Sequence, residues 1–360
     1  MSKIPASVED IVAENFEVKD VTYYPESVEF VLADISPEDS RERFKALLRR
    51  LSPMGLIPRL YIDGEKLKLT VFSAPEGREG PQGRIRLALL MCTIGTIIFS
   101  GWIVANGTIE LLKEAGMSLD PMIGMLTHSM GILAFLAIHE LGHALEDRRR
   151  GNYELELFVP APPPPFGFGT FGDILLPSKP AINREEMLDK GLSGPVAGLI
   201  AALVLSFMGI MQSIPVSMEM AQSWVEQGKA GFLPTPLAFL LMELILSPQG
   251  DKVLLLSPLA LSGLGAMFIT FLVSMPVLPW DGGYIAFSLM PQDRARKISW
   301  LAVIGVILMN PFMGVLMLVF NLFPVHSPPL DEYSSVPESK RRRALMLYLL
   351  TLILSLPIIQ

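Results

Sequence analysis

Hydrophobic positions along this chain fall into two regimes. Up to about residue 80 they alternate with polar ones over short distances; beyond residue 86 they gather into long runs almost free of charge. Leu87–Ala105 is 19 residues without a charge, Gly191–Met211 is 21, and Val253–Trp280 is another uncharged stretch. About 20 apolar residues cross a bilayer as a helix. The pattern predicts spans over Leu87–Ala105, about Met122–Leu145, Gly191–Met211 and Leu256 to about Met275, with further apolar stretches at Ile298–Val325 and Ala344–Ile359. Pro236–Leu246 is too short to cross and reads as a re-entrant or surface helix. The expected fold class is a polytopic α-helical membrane protein of six or seven spans with a small α/β soluble amino-terminal domain.

That amino-terminal domain is expected over residues 1–80. Val28–Leu32 and Lys66–Val71 have strand character, the second with clear alternation. Ser36-Pro37-Glu38-Asp39 opens a helix running to about Leu51, and Asp63-Gly64 supplies the positive φ angles of a hairpin turn. A stretch rich in Gly, Pro and charge, 74–83, leads through a linker at 81–86 into a membrane part over 87–360. Its core helices are expected at about 122–145, 191–211 and 256–281.

Composition agrees with this division. Hydrophobic residues make up 51% of the 360 and charged residues 18%, values that are high and low for a soluble domain. No basic, aromatic-laced surface suggests a nucleic-acid partner. The net charge of −7 matters less than which loops hold the cations. Arg84 and Arg86 precede the first span, Arg148-Arg149-Arg150 follow the second, and Arg294, Arg296 and Lys297 follow the fourth. Alternating spans place all three clusters, and the amino-terminal domain, on the cytoplasmic side. Lys340-Arg341-Arg342-Arg343 belongs there too only if Ile298–Val325 goes out and returns, bending near Asn310-Pro311.

The chemistry centres on His139-Glu140-Leu141-Gly142-His143, at the end of the second span. Residues four apart share a helix face, so both imidazoles reach one metal ion, and Glu140 lies close enough to handle the proton of an activated water. The chain has only four histidines, and ionisable groups inside a membrane are costly unless paired. Bound Zn2+ supplies that pairing. A catalytic zinc usually takes three protein ligands and keeps one open position. The best candidate for the third is Asp281, directly after the fourth span, which runs in the same direction as the second. Glu219, Glu226 and Glu243 lie in or near the outward loop, at the wrong depth.

With these residues the chain resembles the site-2 proteases, intramembrane zinc metalloproteases, and most of all the archaeal, bacterial and chloroplast branch with an amino-terminal soluble domain. His139–His143 resembles the zinc helix. Phe168-Gly169-Thr170-Phe171-Gly172 follows a proline-rich run, Ser193-Gly194-Pro195-Val196-Ala197-Gly198 opens a core helix, and Pro276 with Asp281-Gly282-Gly283 resembles the family's Asn-Pro-Asp-Gly segment. Ser327-Pro328-Pro329-Leu330-Asp331 before the last basic run also fits. One position departs: the family's asparagine three residues before the proline is Val273 here, and valine donates no hydrogen bond.

The resemblance implies peptide hydrolysis within or near transmembrane helices of membrane-protein substrates. His139, His143 and Asp281 would hold zinc, Glu140 would act as general base and acid, and Phe168–Gly172 would pair with the unwound substrate as an edge strand. Two other functions compete with this one. A catalytically weak relative would bind zinc and serve as a membrane scaffold or chaperone. A metal transporter would need more carboxylates along a path through the spans than this chain has.

Overall fold

The computed structural model of the protein describes residues 5, 7–73, 83–151, 154–231, 233–246, 252–323 and 328–358. Of the expected linker, residues 81 and 82 lie outside the described residues and 83–86 form the first turn of a helix. Ser327 also lies outside them.

The amino-terminal part is a four-stranded antiparallel sheet covered by helices. α1 (Ser7–Ala13), β1 (Val18–Tyr23) and β2 (Ser27–Leu32) precede α2 (Pro37–Leu51), and β3 (Leu56–Asp63) and β4 (Lys66–Ser73) close it, in the order β1-β2-β4-β3. Ser36 caps α2 by accepting the Asp39 N–H, with Pro37 at the first turn where no N–H is needed. Gly64 turns the β3–β4 hairpin at φ 63°. Phe44, Leu47 and Leu51 of α2 pack on Phe30, Leu69 and Val71 of the sheet, a core separate from that of the helical part.

Among the described residues, three helices are long and apolar enough to cross a membrane: α3 (Gly83–Glu114), α4 (Pro121–Arg150) and α5 (Arg184–Met211). Each extends beyond the span read from its uncharged run, because polar ends continue the same hydrogen-bonded helix. Between α4 and α5 a short hairpin, β5 (Leu157–Pro160) and β6 (Thr170–Ile174), turns back into the helical layer. After α5 come β7 (Ile214–Ser217), α6 (Met218–Glu226), β8 (Thr235–Pro236), α7 (Leu237–Leu246) and β9 (Lys252–Leu255). β7 pairs with β9, and α7 has 10 residues, well short of a crossing.

The helix expected over 256–281 is divided. α8 (Pro258–Val273) stops after 16 residues, and α9 (Asp281–Leu289) begins anew at Asp281. Pro276 and Pro279 have no N–H to continue the ladder. Gly282 packs on the Ser274 and Met275 carbonyls, and Gly283 on the backbone of Val277 and Leu278, so the connection folds tightly against the new helix. Ile298–Val325 is likewise two helices, α10 (Gln292–Met309) and α11 (Pro311–Leu322), with Asn310 capping α11 through the Met313 N–H. Ser299 meets Asn321 at 2.8 Å, so the pair is an antiparallel hairpin turning at Asn310-Pro311. α12 (Glu338–Ser355) follows, and β10 (Pro357–Ile358) pairs with β8.

A strap at 328–336 ties the two parts together. Leu60 of β3 donates to the Leu330 carbonyl at 2.8 Å and accepts from Glu332 at 2.9 Å, while Asp331 donates to the Ile182 carbonyl at 2.8 Å just ahead of α5. Arg59 pairs with Glu332 at 2.6 Å, and Ser40 meets Ser334 at 2.8 Å.

Candidate metal centre

α4 brings His139, Glu140 and His143 onto two successive turns, all of them buried. α5 crosses α4 at close range because its facing positions are glycines. A Cβ on Gly194 would fall within 2.5 Å of His139 Nε2 and against His143 Nε2, inside the space between the two rings. A Cβ on Gly198 would meet His139 Nδ1 at 2.8 Å, and Gly142 of α4 lies against the Ser193 carbonyl. The Ser193–Gly198 motif therefore makes a cradle for the histidine face. The new start of α9 aims Asp281 into the same cradle, where Gly191 packs against its carbonyl.

Four donors converge there: His139, His143, Asp281 and Asp173, each no more than 2% exposed. His139 Nε2 lies 3.2 Å from His143 Nε2, 3.2 Å from an Asp173 oxygen and 3.3 Å from an Asp281 oxygen. His143 Nε2 lies 3.2 Å from Asp281 and 3.6 Å from Asp173. Zinc holds nitrogen and oxygen donors at about 2.0–2.2 Å, and a tetrahedron of that size has edges of about 3.3 Å. Among the described residues the carboxylate oxygens of both aspartates find no other hydrogen-bond donor, an arrangement too costly for buried charge without a cation. The donor set fits zinc in spacing and in chemistry.

The surroundings orient the set. Ser193 Oγ donates to the Lys190 carbonyl at 2.9 Å and lies 3.2 Å from His143 Nδ1, so it accepts that ring's proton and leaves Nε2 bare toward the centre. Glu140 Oε1 accepts the Glu156 N–H at 3.3 Å, which ties the start of β5 to α4. Beyond it, buried Lys190 pairs with Asp147 at 3.0 Å and with Glu156 at 2.8 Å.

The hairpin is held at both ends. Arg86 donates to the Leu155 carbonyl and, at 2.7 Å, to the Leu176 carbonyl, gripping its base. Asn310 Nδ2 donates to the Phe166 carbonyl at 2.9 Å, and Thr96 donates to that of Gly169 at 2.6 Å. Of the segment expected to meet substrate, Thr170, Phe171 and Gly172 are buried on β6. Phe168 packs on Phe268 and Gly265, and Gly169 lies on the α3 backbone at Ile97. β6 has β5 on one edge and no second strand partner among the described residues. Val273 is fully buried against Gly172, which has φ 88°.

The structure thus brings together the three metal-ligand candidates read from the sequence, His139, His143 and Asp281, with Glu140 alongside. Sequence reasoning missed Asp173, Asp147, Glu156, Lys190 and Ser193. Asp147 had a signal, since it continues the 139, 143 face by one more turn. Glu219 and Glu226 lie on α6 at the far end, where Trp224 donates to Glu114 at 2.6 Å. A cavity of about 500 Å³ lined by Leu112, Met117, Thr127 and Ser257 also lies away from the four donors.

No family model matches the chain, and no solved structure matches it. Curated proteins do. Over 309 residues, 84% of the chain, it is 26% identical to a protein of Arabidopsis thaliana named "Probable zinc metalloprotease EGY2, chloroplastic". Over 238 residues, 64% of the chain, it is 29% identical to the protein of the same name in Oryza sativa subsp. indica. The chain spans about half the length of the curated relatives it matches, 52% and 40% of them. The resemblance read from its motifs is therefore carried by homologues over most of its length, and they are proteins named as zinc metalloproteases.

Proposed function

We propose that the protein is a zinc-dependent intramembrane endopeptidase that hydrolyses peptide bonds within or near transmembrane helices of other membrane proteins. The observation that carries this reading is the convergence of His139, His143 and Asp281 on one buried point, with Glu140 next to the first of them on the same helix. In the proposed roles the two histidines and Asp281 hold the ion. Zinc, when bound, polarises a carbonyl and acidifies water. Glu140 takes the proton of the attacking water and delivers it to the leaving amine. Ser193 keeps His143 in the tautomer that can ligate, and Phe168–Gly172 offers backbone to an extended substrate segment.

The bilayer is the second proposed partner. Trp102 on α3, Met130 on α4, Ile200 on α5, Leu301 on α10 and Met346 on α12 are exposed apolar groups, more outward apolar surface than a soluble monomer carries. In this topology α3, α4, α5, α8 and α12 cross, and α10 with α11 enters and returns. α11, at 12 residues and about 18 Å, makes the return short of a full crossing. All four basic clusters and the amino-terminal domain then lie on the cytoplasmic side.

The test is zinc content together with cleavage of a model transmembrane substrate, in the wild type and in Glu140→Gln. Stoichiometric zinc in both with cleavage in the wild type alone is expected. Equal turnover in both would overturn the mechanism. A second reading, a zinc-binding scaffold of low activity, is favoured by the buried Val273, which brings no donor to the site. Zinc without cleavage in either protein would select it.

A further inference from the structure

A catalytic zinc keeps one position open, yet four protein donors close on this centre. The fourth is Asp173, which no helix delivers. It sits on β6, and β6 is tied to the loop that carries Asp281 by the Leu175 N–H donating to the Pro279 carbonyl at 2.9 Å. Tyr284 of α9 donates to the Leu175 carbonyl at 3.1 Å. These two bonds hold β6 beside the start of α9 and set the Asp173 carboxylate 3.2 Å from His139 Nε2 and 3.6 Å from His143 Nε2. Asp281 lies 3.3 and 3.2 Å from the same nitrogens, so Asp173 approaches His139 as closely as Asp281 does and His143 less closely. The carboxylate is 1% exposed, and neither oxygen has a hydrogen-bond donor among the described residues. A side chain so buried and so placed is a candidate ligand in geometry, as Asp281 is.

We propose that Asp173 is a fourth protein ligand that occupies the position water must take, so that the structure is a closed resting state of the centre. The proposal rests on the zinc-hydrolase reading above. Opening is a ligand exchange: the Asp173 carboxylate leaves, one water oxygen takes its place, and no bond within the protein breaks. The hairpin is the part that must shift. Gly172, beside Asp173, holds φ 88°; its N–H donates to Thr170 Oγ1 at 3.0 Å, and its α-carbon faces the side chains of Val273 and Ile269. A strand laid along β6 by an unwound substrate would bear directly on Asp173, which couples opening to substrate arrival.

The experiment uses the full chain in detergent, loaded with zinc, as wild type, Asp173→Asn, Asp173→Ala and His143→Ala. The first readout is the rate at which zinc passes to a chelator. Release at least tenfold faster in both Asp173 variants is expected. The second uses cobalt(II) in place of zinc and a small hydroxamate, whose binding to an open metal position shifts the visible spectrum. The hydroxamate should bind at least tenfold more tightly to the Asp173 variants than to the wild type. Asp173→Asn keeps the shape of the side chain, so it guards against a misfolded hairpin. Variants that keep wild-type release rates and hydroxamate affinity would overturn the closed state while leaving the zinc reading intact. A wild type that holds no more zinc than His143→Ala would overturn both.

Discussion

Ser193 fixes the tautomer of His143. Its hydroxyl has a single proton, and that proton goes to the Lys190 carbonyl at 2.9 Å, so the 3.2 Å contact to Nδ1 must be donated by the ring. Ser193→Ala leaves Nδ1 without an acceptor and frees the imidazole to protonate Nε2, the atom that faces the metal. Loss of such an outer partner typically costs ten- to a hundredfold in metal affinity. Zinc affinity by competition with a chelator should fall by about that factor, and Ser193→Thr, which keeps the hydroxyl, should recover most of it. An unchanged affinity in Ser193→Ala would show that the ring is oriented by packing alone.

Gly194 sets the space between the two imidazoles. A methyl group there collides with both Nε2 atoms and with His143 Cε1 at 2.6 Å. Gly194→Ala should therefore abolish zinc binding while the helix itself gains from alanine's higher propensity, by about 1 kcal/mol. The expected combination, zinc content near that of His143→Ala with an unchanged helical circular-dichroism signal, separates this cause from unfolding. Zinc retained in Gly194→Ala would mean that α4 and α5 move apart at little cost.

Much of this centre could be read from the chain. The spacing of His139 and His143, the depth at which Asp281 meets them and the turn at Asn310-Pro311 all follow from periodicity and charge placement, although Asp281 arrives on a new helix and not on the end of the parallel one. Asp173 does not, because its approach depends on a short hairpin folded back among helices and on two hydrogen bonds, Leu175 to Pro279 and Tyr284 to Leu175. In the soluble part, the Lys66–Val71 alternation and the Asp63-Gly64 turn signalled β4 and its hairpin. β3 was hidden by Pro58, which a strand tolerates only at an edge; β3 is an edge strand, next to β4 alone in the sheet. The division of 256–281 turned on Pro276 and Pro279, whose missing donors outweighed an unbroken apolar run.

Val273 faces β6 where the resemblance implies asparagine. Its side chain is fully buried, with Cγ1 against Gly172 and so one residue from Asp173. Val273→Asn would place an amide donor beside the backbone on which substrate is proposed to lie. If that donor reaches the developing oxyanion, kcat should rise about a hundredfold with KM little changed, the low end of what a single donor contributes. Burying an amide without full partners costs about 1–3 kcal/mol, so a lower melting temperature should accompany the gain. Steady-state cleavage of a model transmembrane substrate reads both parameters. A lower melting temperature with no rise in kcat would exclude a missing donor as the reason for slow turnover.

Asp331 links the strap to pH. It is buried, and burial pushes its carboxyl above the usual 3.8 although the side-chain and backbone contacts with Ser334 pull it back down. The folded protein therefore holds this proton more tightly than the unfolded chain does. The contribution to stability is greatest below the unfolded value, and it is lost as pH rises from there through the folded value. Thermal unfolding of the amino-terminal part within the whole protein, measured from pH 4 to 7, should show this decline. Asp331→Asn keeps an oxygen for the Tyr333 and Ser334 N–H groups and should flatten it. The same slope in both proteins would assign the decline to other groups.

Lys190 bridges two buried carboxylates, Asp147 and Glu156. Asp147 and Glu156 are 5% and 0% exposed, and Lys190 bridges them at 3.0 and 2.8 Å from the turn of α5 that precedes Gly191. Removing one member of such a cluster leaves charge without compensation, at about 3–5 kcal/mol, whereas replacing all members by apolar groups of similar size is often neutral. Lys190→Met should therefore be among the most destabilising single changes in the membrane part. The triple variant Lys190→Met, Asp147→Leu, Glu156→Leu should recover most of the loss. The same comparison reports on Glu140, because the backbone N–H of Glu156 is its donor at 3.3 Å. The triple variant keeps that N–H, so cleavage relative to folded protein should survive in it and fall in Lys190→Met as the strand entering β5 shifts. Thermal inactivation in detergent together with turnover per folded molecule measures both effects. Equal stability of Lys190→Met and wild type would show that water reaches the cluster and that the three charges are paired only loosely.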